Sequence, residues 1–188
     1  MDKKINEEIF KNPASEFSKW CFDWLEPSVQ VVVLIMFLWC FFFRIMNVSG
    51  ESMMNTLFDG DKIFVLKWGY VPTDGDVVTI THGQIYDEPI VKRIIATEGE
   101  TLKIDFSDGS VWVNGEKLNE TYIKEPMWLQ EDGEIPEVIP KGYSFVMGDN
   151  RNNSLDSRSK AIGLINNNNI IGKVKYILLP YNRFREVK

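Results

Sequence analysis

The stretch VQVVVLIMFLWCFFFRIM occupies positions 29–46, and it determines how the rest of the chain can be organised. Its polar residues, Gln30 and Arg44, stand near the two ends, where long side chains can reach a membrane interface. About 18 residues is the minimum length for a helix that crosses a bilayer. The segment is apolar on all sides, which argues against a buried core helix in so small a protein. We therefore predict a transmembrane anchor over residues 28–47.

Residues 1–27, before the anchor, are predicted to form a cytoplasmic or interfacial segment. Trp20 and Trp24 are placed like an interfacial aromatic belt. Residues 16–26 have the pattern of an amphipathic helix, which we expect to end at Pro27. A cleavable signal peptide is an alternative, but the long leader contains acidic residues and no convincing small-x-small cleavage site. An uncleaved anchor is therefore favoured.

Basic residues bias the orientation of the anchor slightly toward an N-terminus inside the cell. Those before the apolar stretch are Lys3, Lys4, Lys11 and Lys19, and those within or soon after it are Arg44 and Lys62. The corresponding prediction is a single-pass protein of the cytoplasmic membrane, in contact with phospholipid, with residues 48–188 on the outer face.

Composition excludes several classes of function for this chain of 188 residues. A net charge of −6 and the lack of a basic patch argue against nucleic acid as a partner. The single histidine, His82, lies in a turn-like sequence, so a Ser-His-Asp triad is disfavoured. The two cysteines, Cys21 and Cys40, lie before and within the anchor. A zinc site is therefore improbable, and the remainder of the chain needs no disulfide.

Beyond the anchor, the sequence changes to short β-branched and aromatic runs bounded by Gly, Asp or Pro, as is typical of strands. The predicted strands are residues 62–66, 76–80, 90–95, 101–106, 111–113, 143–147 and 173–178. Asp108-Gly109 and Asn114-Gly115 are hairpin signals. Residues 124–140, rich in Glu, Pro and Gly, are expected to form an exposed insertion or lid. The spacing predicts a mainly β domain over residues 48–188, built as a barrel or a sandwich.

A candidate nucleophile, Ser52, stands only a few residues after the anchor, in the sequence SGESM. Serine needs a base to become a nucleophile. The predicted strand over residues 90–95 offers Lys92, which shares a face with Ile90 and Ile94 because side chains alternate along a strand. Apolar surroundings lower the pKa of a lysine. A general base needs a pKa between about 7 and 8 rather than about 10.4, a shift that costs about 4 kcal/mol.

Spacing alone leaves a second interpretation of Lys92 open. An ordinary lysine whose ammonium group reaches solvent from an edge strand has the same pattern. Arg93 is not an alternative base, because a guanidinium group stays protonated.

The sequence GDNRNNSLDSR at positions 148–158 is dense in hydrogen-bonding side chains. A solvated surface loop is the simplest interpretation. The composition also suits a structured network, in which Asp149 and Asp156 are possible partners for Arg151 and Arg158.

Ser154, in the same loop, carries a small hydroxyl that can hold a neutral lysine in place. A calcium loop is disfavoured because Asp149-x-Arg151 breaks the EF-hand spacing. Ser157-Arg-Ser-Lys160 matches the Ser-x-x-Lys of penicillin-binding enzymes, but no Lys-Thr-Gly accompanies it, so we treat that match as chance.

Three segments together resemble the type I signal peptidases of bacteria: SGESMMNTL at 49–57, IVKRIIATEG at 90–99 and GDNRNNSLDSR at 148–158. GDVV at 75–78 resembles a further motif of that family, and the order of the segments agrees. The resemblance implies a β-rich Ser-Lys protease that removes signal peptides from exported preproteins, without a metal or cofactor. It also implies substrates with small residues before the cut, bound in an extended form along a sheet edge.

Carried onto this chain, the resemblance implies that Ser52 is the nucleophile and Lys92 the general base, with Ser154 orienting Lys92. The supporting residues that it implies are Asp149, Arg151, Asp156 and Arg158. Gly50 stands where some relatives have a serine that helps to bind the oxyanion. The backbone N–H of Ser52 would then do more of that work.

Two segments depart from the usual sequence of the family. Asn55 stands where proline is usual, which leaves the turn after the nucleophile less rigid. Glu98-Gly99-Glu100 stands where Pro-Gly-Asp is usual. Neither change removes a group that handles protons or charge.

Other functions remain as alternatives at this point. A self-cleaving Ser-Lys protein of the repressor type has a DNA-binding domain and no membrane anchor, and relatives from the endoplasmic reticulum have His where Lys92 stands. A catalytically inactive, membrane-anchored β module that binds peptides is the alternative of a different class. Apolar residues that we expect either on lipid near the site or in the core are Met53, Met54, Phe64, Trp68 and Tyr70.

Overall fold

The computed structural model describes residues 13–187 and divides into two compact units, Met1–Phe41 and Phe42–Lys188. Three of the basic residues on which the predicted orientation rests, Lys3, Lys4 and Lys11, lie outside the described residues.

Helix α1 (Pro13–Phe42) passes through Pro27 without a break. The prediction that a first helix ends at Pro27 is therefore wrong. Proline at position 27 removes one backbone donor, the partner of the carbonyl oxygen of residue 23, and the helix continues past it. Here the Ser28 hydroxyl donates a hydrogen bond of 2.6 Å to the carbonyl oxygen of Trp24.

Between Glu16 and Phe42, α1 is long and apolar enough to cross a membrane, by its length and composition. The side chains of residues 16–41 are all exposed within the described chain. The alternative interpretation, a helix buried in the core of this protein, does not hold.

The helix ends at Phe42, earlier than the predicted end of the anchor. The next five residues form strand β1 (Phe43–Asn47), which pairs antiparallel with β2 (Lys62–Leu66). Phe43 lies opposite Leu66, and Asn47 lies opposite Lys62. Aromatic and β-branched residues suit either an anchor or a strand, and pairing with β2 decides for the strand.

The main sheet has the strand order β1-β2-β10-β3-β4-β8-β9, with β11 paired to β10, and every pairing in it is antiparallel. Its remaining strands are β3 (Val77–Ile80), β4 (Ile90–Ala96), β8 (Tyr143–Met147), β9 (Ile165–Asn166), β10 (Ile170–Leu179) and β11 (Arg185–Glu186). A smaller sheet joins β5 (Leu102–Asp105), β6 (Ser110–Val113) and β7 (Glu116–Lys117). The mainly β fold is confirmed, and each predicted strand forms.

The core lies in three apolar clusters. One contains Met53 and Leu57 together with Ile63 and Val65 of β2, so Met53 is a core residue and does not face lipid. Met54, Phe64 and Tyr70 are partly buried, and Trp68 is exposed.

Residues 124–140 are more integrated than the predicted insertion or lid. Met127 and Ile139 are buried in a second cluster, with Phe145 of β8 and Val111 of β6. This segment therefore fills part of the core, because two apolar side chains within it pack between the main sheet and the smaller sheet.

Candidate active site

A short turn after β1 holds Ser52. The N–H of Thr56 and that of Leu57 both donate to the carbonyl oxygen of Met53, at 2.8 Å. Because Met53 and Leu57 point into the core, Ser52 is left half-buried at the surface of the domain. Just before it, Gly50 has a φ of +87°, a conformation that favours glycine, and its N–H donates to Asp59 Oδ1 at 2.8 Å.

Lys92 lies on β4, an inner strand of the main sheet between β3 and β8. It sits opposite Val78 of β3, and only 3% of it is exposed. Ile94 belongs to a buried cluster against which Ile90 also packs, as the alternation of side chains predicted. The interpretation of Lys92 as an ordinary edge-strand lysine is wrong.

Ser52 and Lys92 meet in the folded domain. Lys92 Nζ donates a hydrogen bond of 2.7 Å to Ser52 Oγ. Burial lowers the pKa of Lys92 to about 8, although the negative charges of Asp156, Asp149 and Glu131 act in the opposite direction. With that pKa, about one lysine in ten is neutral at pH 7, compared with about one in a few thousand for a lysine in water.

The 148–158 loop is a buried network and not a solvated loop. Asp156 pairs with Arg158 at 2.7 Å, as proposed from the sequence. Asp149 does not pair with Arg151: it accepts hydrogen bonds from Arg93 Nε at 2.9 Å and from Arg93 Nη2 at 2.7 Å.

Arg151 instead pairs with Glu120 at 2.5 Å. Sequence reasoning missed Glu120, and it considered Arg93 only as a base. Both partners come from distant parts of the chain, so sequence spacing carried no signal for these pairs. Tyr122 also belongs to the network, because the Arg93 guanidinium lies 4.0 Å from the centre of its ring.

Asn150 joins this loop to the backbone of Glu51 and Ser52. Its N–H donates to the carbonyl oxygen of Ser52 at 3.0 Å, and its side-chain amide donates to that of Glu51 at 3.1 Å. Gly148 lies close by, where a β-carbon would stand 2.5 Å from the Ser52 carbonyl oxygen and 2.2 Å from Ser154 Oγ. Only glycine fits at this contact.

Ser154 is buried beside these groups, with 8% of it exposed. Among the described residues, its Oγ has no hydrogen-bond partner. The hydrogen bond to Lys92 that the resemblance implies is therefore not formed in this structure. A role for Ser154 in orienting Lys92 stays a prediction.

A groove of about 350 Å³ runs past Ser52 and Lys92. One wall is formed by residues 46–53, and the other includes Tyr86 and residues 88–92. Asn153 and Leu155 complete the lining. Within residues 13–187, no three His, Cys, Asp or Glu side chains are grouped to hold a metal ion.

The departures from the usual family sequence have local structural roles. Glu98 accepts a hydrogen bond of 2.7 Å from the N–H of Gly142. Glu100 accepts from the N–H and the hydroxyl of Thr97, at 2.7 Å and 3.0 Å. Asn55 is exposed, and within residues 13–187 its side chain makes only a long hydrogen bond of 3.5 Å, to the carbonyl oxygen of Ile123.

Comparisons with known proteins agree on one family. The family described as "Signal peptidase, peptidase S26" matches residues 21–179. Signal peptidase I T of Bacillus subtilis (strain 168) is 36% identical over 176 residues, which cover 88% of this chain and 89% of that protein. Signal peptidase I P of Bacillus subtilis subsp. natto is 35% identical over 176 residues, which cover 88% of this chain and 93% of that protein.

Among solved structures, a signal peptidase I from Enterococcus faecalis V583 matches with a TM-score of 0.43 and 24% identity, over 55% of this chain and 97% of that one. Because the family match and the similarity to the two Bacillus proteins both extend over most of the sequence, this chain belongs to the S26 family of signal peptidases.

Proposed function

We propose that this chain is a membrane-anchored serine endopeptidase that removes signal peptides from exported preproteins, with Ser52 as nucleophile and Lys92 as general base. The observation that carries the proposal is the 2.7 Å hydrogen bond between Lys92 Nζ and Ser52 Oγ, made by a lysine that is 3% exposed. Burial explains how the amine loses its proton, and contact explains how it reaches the hydroxyl.

The reaction begins when neutral Lys92 takes the proton of the Ser52 hydroxyl. The Ser52 oxygen attacks the carbonyl carbon of the scissile peptide bond, and the carbonyl oxygen becomes an oxyanion. Lys92 then gives its proton to the leaving amine as the C–N bond breaks, which leaves an acyl-enzyme. Lys92 next takes a proton from a water molecule, the water oxygen attacks the ester, and the proton returns to Ser52 Oγ as the peptide leaves.

The backbone N–H of Ser52 is the proposed donor to the oxyanion. Within the described chain it makes no hydrogen bond, so it remains available to the substrate. Gly50 has no side chain that could add a hydroxyl donor there. One well-placed donor contributes about 3 to 4 kcal/mol to the transition state in serine proteases.

The groove supports an extended substrate. Its two walls, residues 46–53 and 88–92, flank the dyad, and residues 90–92 belong to β4. A peptide laid between them would present its scissile carbonyl to Ser52, with the residues before the cut along the walls. The proposed substrates are secretory preproteins with small side chains before the cut.

Helix α1 is the proposed membrane anchor. The region from Glu16 to Phe42 has the length and composition for one crossing, and β1 starts at the next residue. Ser52 follows shortly after β1, so a signal peptide in the same bilayer would need to extend only a short distance to reach it. We propose that the catalytic domain lies on the outer face of the cytoplasmic membrane.

The deciding experiment uses the full chain in detergent. A purified secretory precursor is incubated with the protein, and the new N-terminus is identified by mass spectrometry. A single cut after a small residue at the end of the signal peptide is expected. Absence of any cut in several precursors would instead favour the alternative of an inactive peptide-binding module.

A further inference from the structure

We propose that Arg185, on the last strand, is a positioning residue that holds the turn after Ser52 in its reactive geometry. The inference rests on the proposed function of Ser52. Arg185 Nη2 donates hydrogen bonds to two successive carbonyl oxygens of that turn, at 2.7 Å to Thr56 and at 3.4 Å to Asn55. Arg185 and Thr56 are separated by 129 positions in the sequence.

On the side that faces Arg185, the turn makes few other hydrogen bonds among the described residues. The N–H of Asn55 makes no hydrogen bond among the described residues, and its side chain has only the 3.5 Å contact with Ile123. Thr56 is held from the inner side, where its hydroxyl bonds to Asp149. Arg185 therefore supplies the contact that fixes the carbonyl groups from the outer side.

Arg185 is itself firmly placed. Strand β11 pairs with β10, where Arg185 lies opposite Ile177. Two residues further on, the N–H of Val187 donates a hydrogen bond of 2.9 Å to the carbonyl oxygen of Lys175. Val187 is buried in the same apolar cluster as Met53, the residue after the nucleophile. The C-terminal strand thus connects the core beneath Ser52 with the carbonyl groups of the turn.

This contact lies away from the substrate groove. Arg185, Asn55 and Thr56 are not among the residues that line it. Loss of Arg185 should therefore change the position of Ser52 without changing the surface that binds the peptide. The kinetic signature is a lower kcat with an unchanged KM, because small displacements of a nucleophile slow the chemical step strongly.

The test measures kcat and KM for precursor cleavage by the full chain in detergent, with Arg185→Ala, Arg185→Lys and Arg185→Ala combined with Asn55→Pro. Arg185→Ala is expected to lower kcat about tenfold, with KM unchanged within about twofold. Lysine keeps a positively charged donor group but lacks the planar guanidinium, so the kcat of Arg185→Lys should lie between those of the wild type and Arg185→Ala. Proline restricts the turn without removing a used donor, so the double variant should recover most of the lost kcat.

Lys103→Ala is the matched control, because it removes one positive charge from an exposed position on the smaller sheet. Its kcat should equal that of the wild type. An active wild type with the same kcat as Arg185→Ala overturns the inference alone. A wild type that cleaves no precursor overturns the proposed function, and the inference with it.

Thermal unfolding separates positioning from general loss of structure. Arg185 is exposed, so the melting temperature of Arg185→Ala should stay within about 5 °C of the wild type. If the melting temperature of Arg185→Ala falls further, the test is made on Arg185→Lys, by comparing its kcat with and without Asn55→Pro. Failure of the proline to raise the kcat of Arg185→Lys would overturn the proposal.

Discussion

Lys92 Nζ and Ser52 Oγ lie 2.7 Å apart, although 40 positions separate the two residues in the sequence. Strand β4 carries Lys92 into the interior of the main sheet, and the turn after β1 brings Ser52 to meet it. The contact joins an amine that can lose its proton near neutral pH with the hydroxyl that gives up a proton in the proposed reaction.

Replacing either member of this pair should abolish cleavage while the fold is retained. Ser52→Ala and Lys92→Met are each expected to lower kcat/KM about a thousandfold or more, because a nucleophile and its base act as one unit. The double variant should be no slower than the single ones. Initial rates with a purified precursor test this, with circular dichroism as the check on folding. Full turnover by either variant would refute the dyad.

The rate of cleavage should follow the titration of Lys92. Burial lowers the pKa of Lys92 to about 8, so the neutral amine becomes the main form above that pH. We expect kcat/KM to rise about tenfold per pH unit below pH 8 and to level off above it. Initial rates from pH 6 to pH 10 measure the profile. A flat profile over this range would exclude Lys92 as the base.

The stability of the fold should also depend on Lys92. Its pKa in the folded protein, about 8, lies below the ordinary value of 10.5, so the unfolded chain binds more protons between these two pH values. Stability from this group is therefore lowest below pH 8 and rises as the pH approaches 10.5.

The full effect on the free energy of unfolding is about 3 kcal/mol. It is measured as the unfolding free energy of the wild type minus that of Lys92→Met, at a series of pH values. Subtraction removes the contributions of groups that the two proteins share. A difference that does not change between pH 7 and pH 10.5 would contradict the lowered pKa.

Ser154 offers a test of orientation separate from folding. Its buried Oγ has no partner among the described residues, so Ser154→Ala should leave the free energy of unfolding within about 1 kcal/mol of the wild type. We expect kcat to fall about tenfold if the hydroxyl orients Lys92 during the reaction. Equal kcat values for Ser154→Ala and the wild type would limit Ser154 to packing.

Ser157→Ala is the matched comparison for Ser154→Ala. The Ser157 hydroxyl accepts a hydrogen bond of 3.0 Å from the N–H of Val146, on the strand before the loop. Its removal leaves a buried donor without a partner and should destabilise the fold by about 1 to 3 kcal/mol.

Gly148→Ala should damage the site through the backbone of Ser52. A β-carbon at Gly148 would stand 2.5 Å from the Ser52 carbonyl oxygen, so either the turn or the loop has to move. We expect the free energy of unfolding to fall by about 1 to 3 kcal/mol. We also expect kcat to fall by a larger factor than KM changes. Kinetics and chemical denaturation of the same preparation provide both values.

Gly115→Ala is the control for that substitution. A β-carbon at Gly115, in the β6–β7 turn, would meet no atom within 4 Å, so this variant carries only the strain of a positive φ. It should cleave at the wild-type rate. Equal activity of Gly148→Ala and Gly115→Ala would show that the contact at Gly148 does not hold Ser52.

Periodicity predicted most of the strands because alternation of apolar residues is a local property of the chain. The strands β7, β9 and β11 were missed because each has only two residues. Strand β1 was missed because its apolar sequence continues that of the helix, and only pairing with β2 separates the two. The helix was expected to end at Pro27, but it continues through that residue, and the Ser28 hydroxyl adds a hydrogen bond to the Trp24 carbonyl oxygen in the same turn.

The site was predicted in part. The motifs pointed to Ser52, Lys92 and the 148–158 loop. Among the predicted pairs of charged residues, only that of Asp156 with Arg158, which are close in sequence, is correct. Asp149 pairs with Arg93, which is 56 positions away. The sequence alone does not show which residues that are far apart along the chain lie close together in space.

The sequence by itself determined that an apolar helix precedes a β domain, and that a serine and a lysine stand in segments that resemble those of the signal peptidases. These features follow from composition, periodicity and short motifs, all of which are local. The tertiary structure alone decided that Lys92 is buried against Ser52 and that Asp149 binds Arg93. It also decided that Arg185 reaches the turn from the far end of the chain. Desolvation and long-range contacts depend on which side chains pack against each other, and this is determined only in the folded protein.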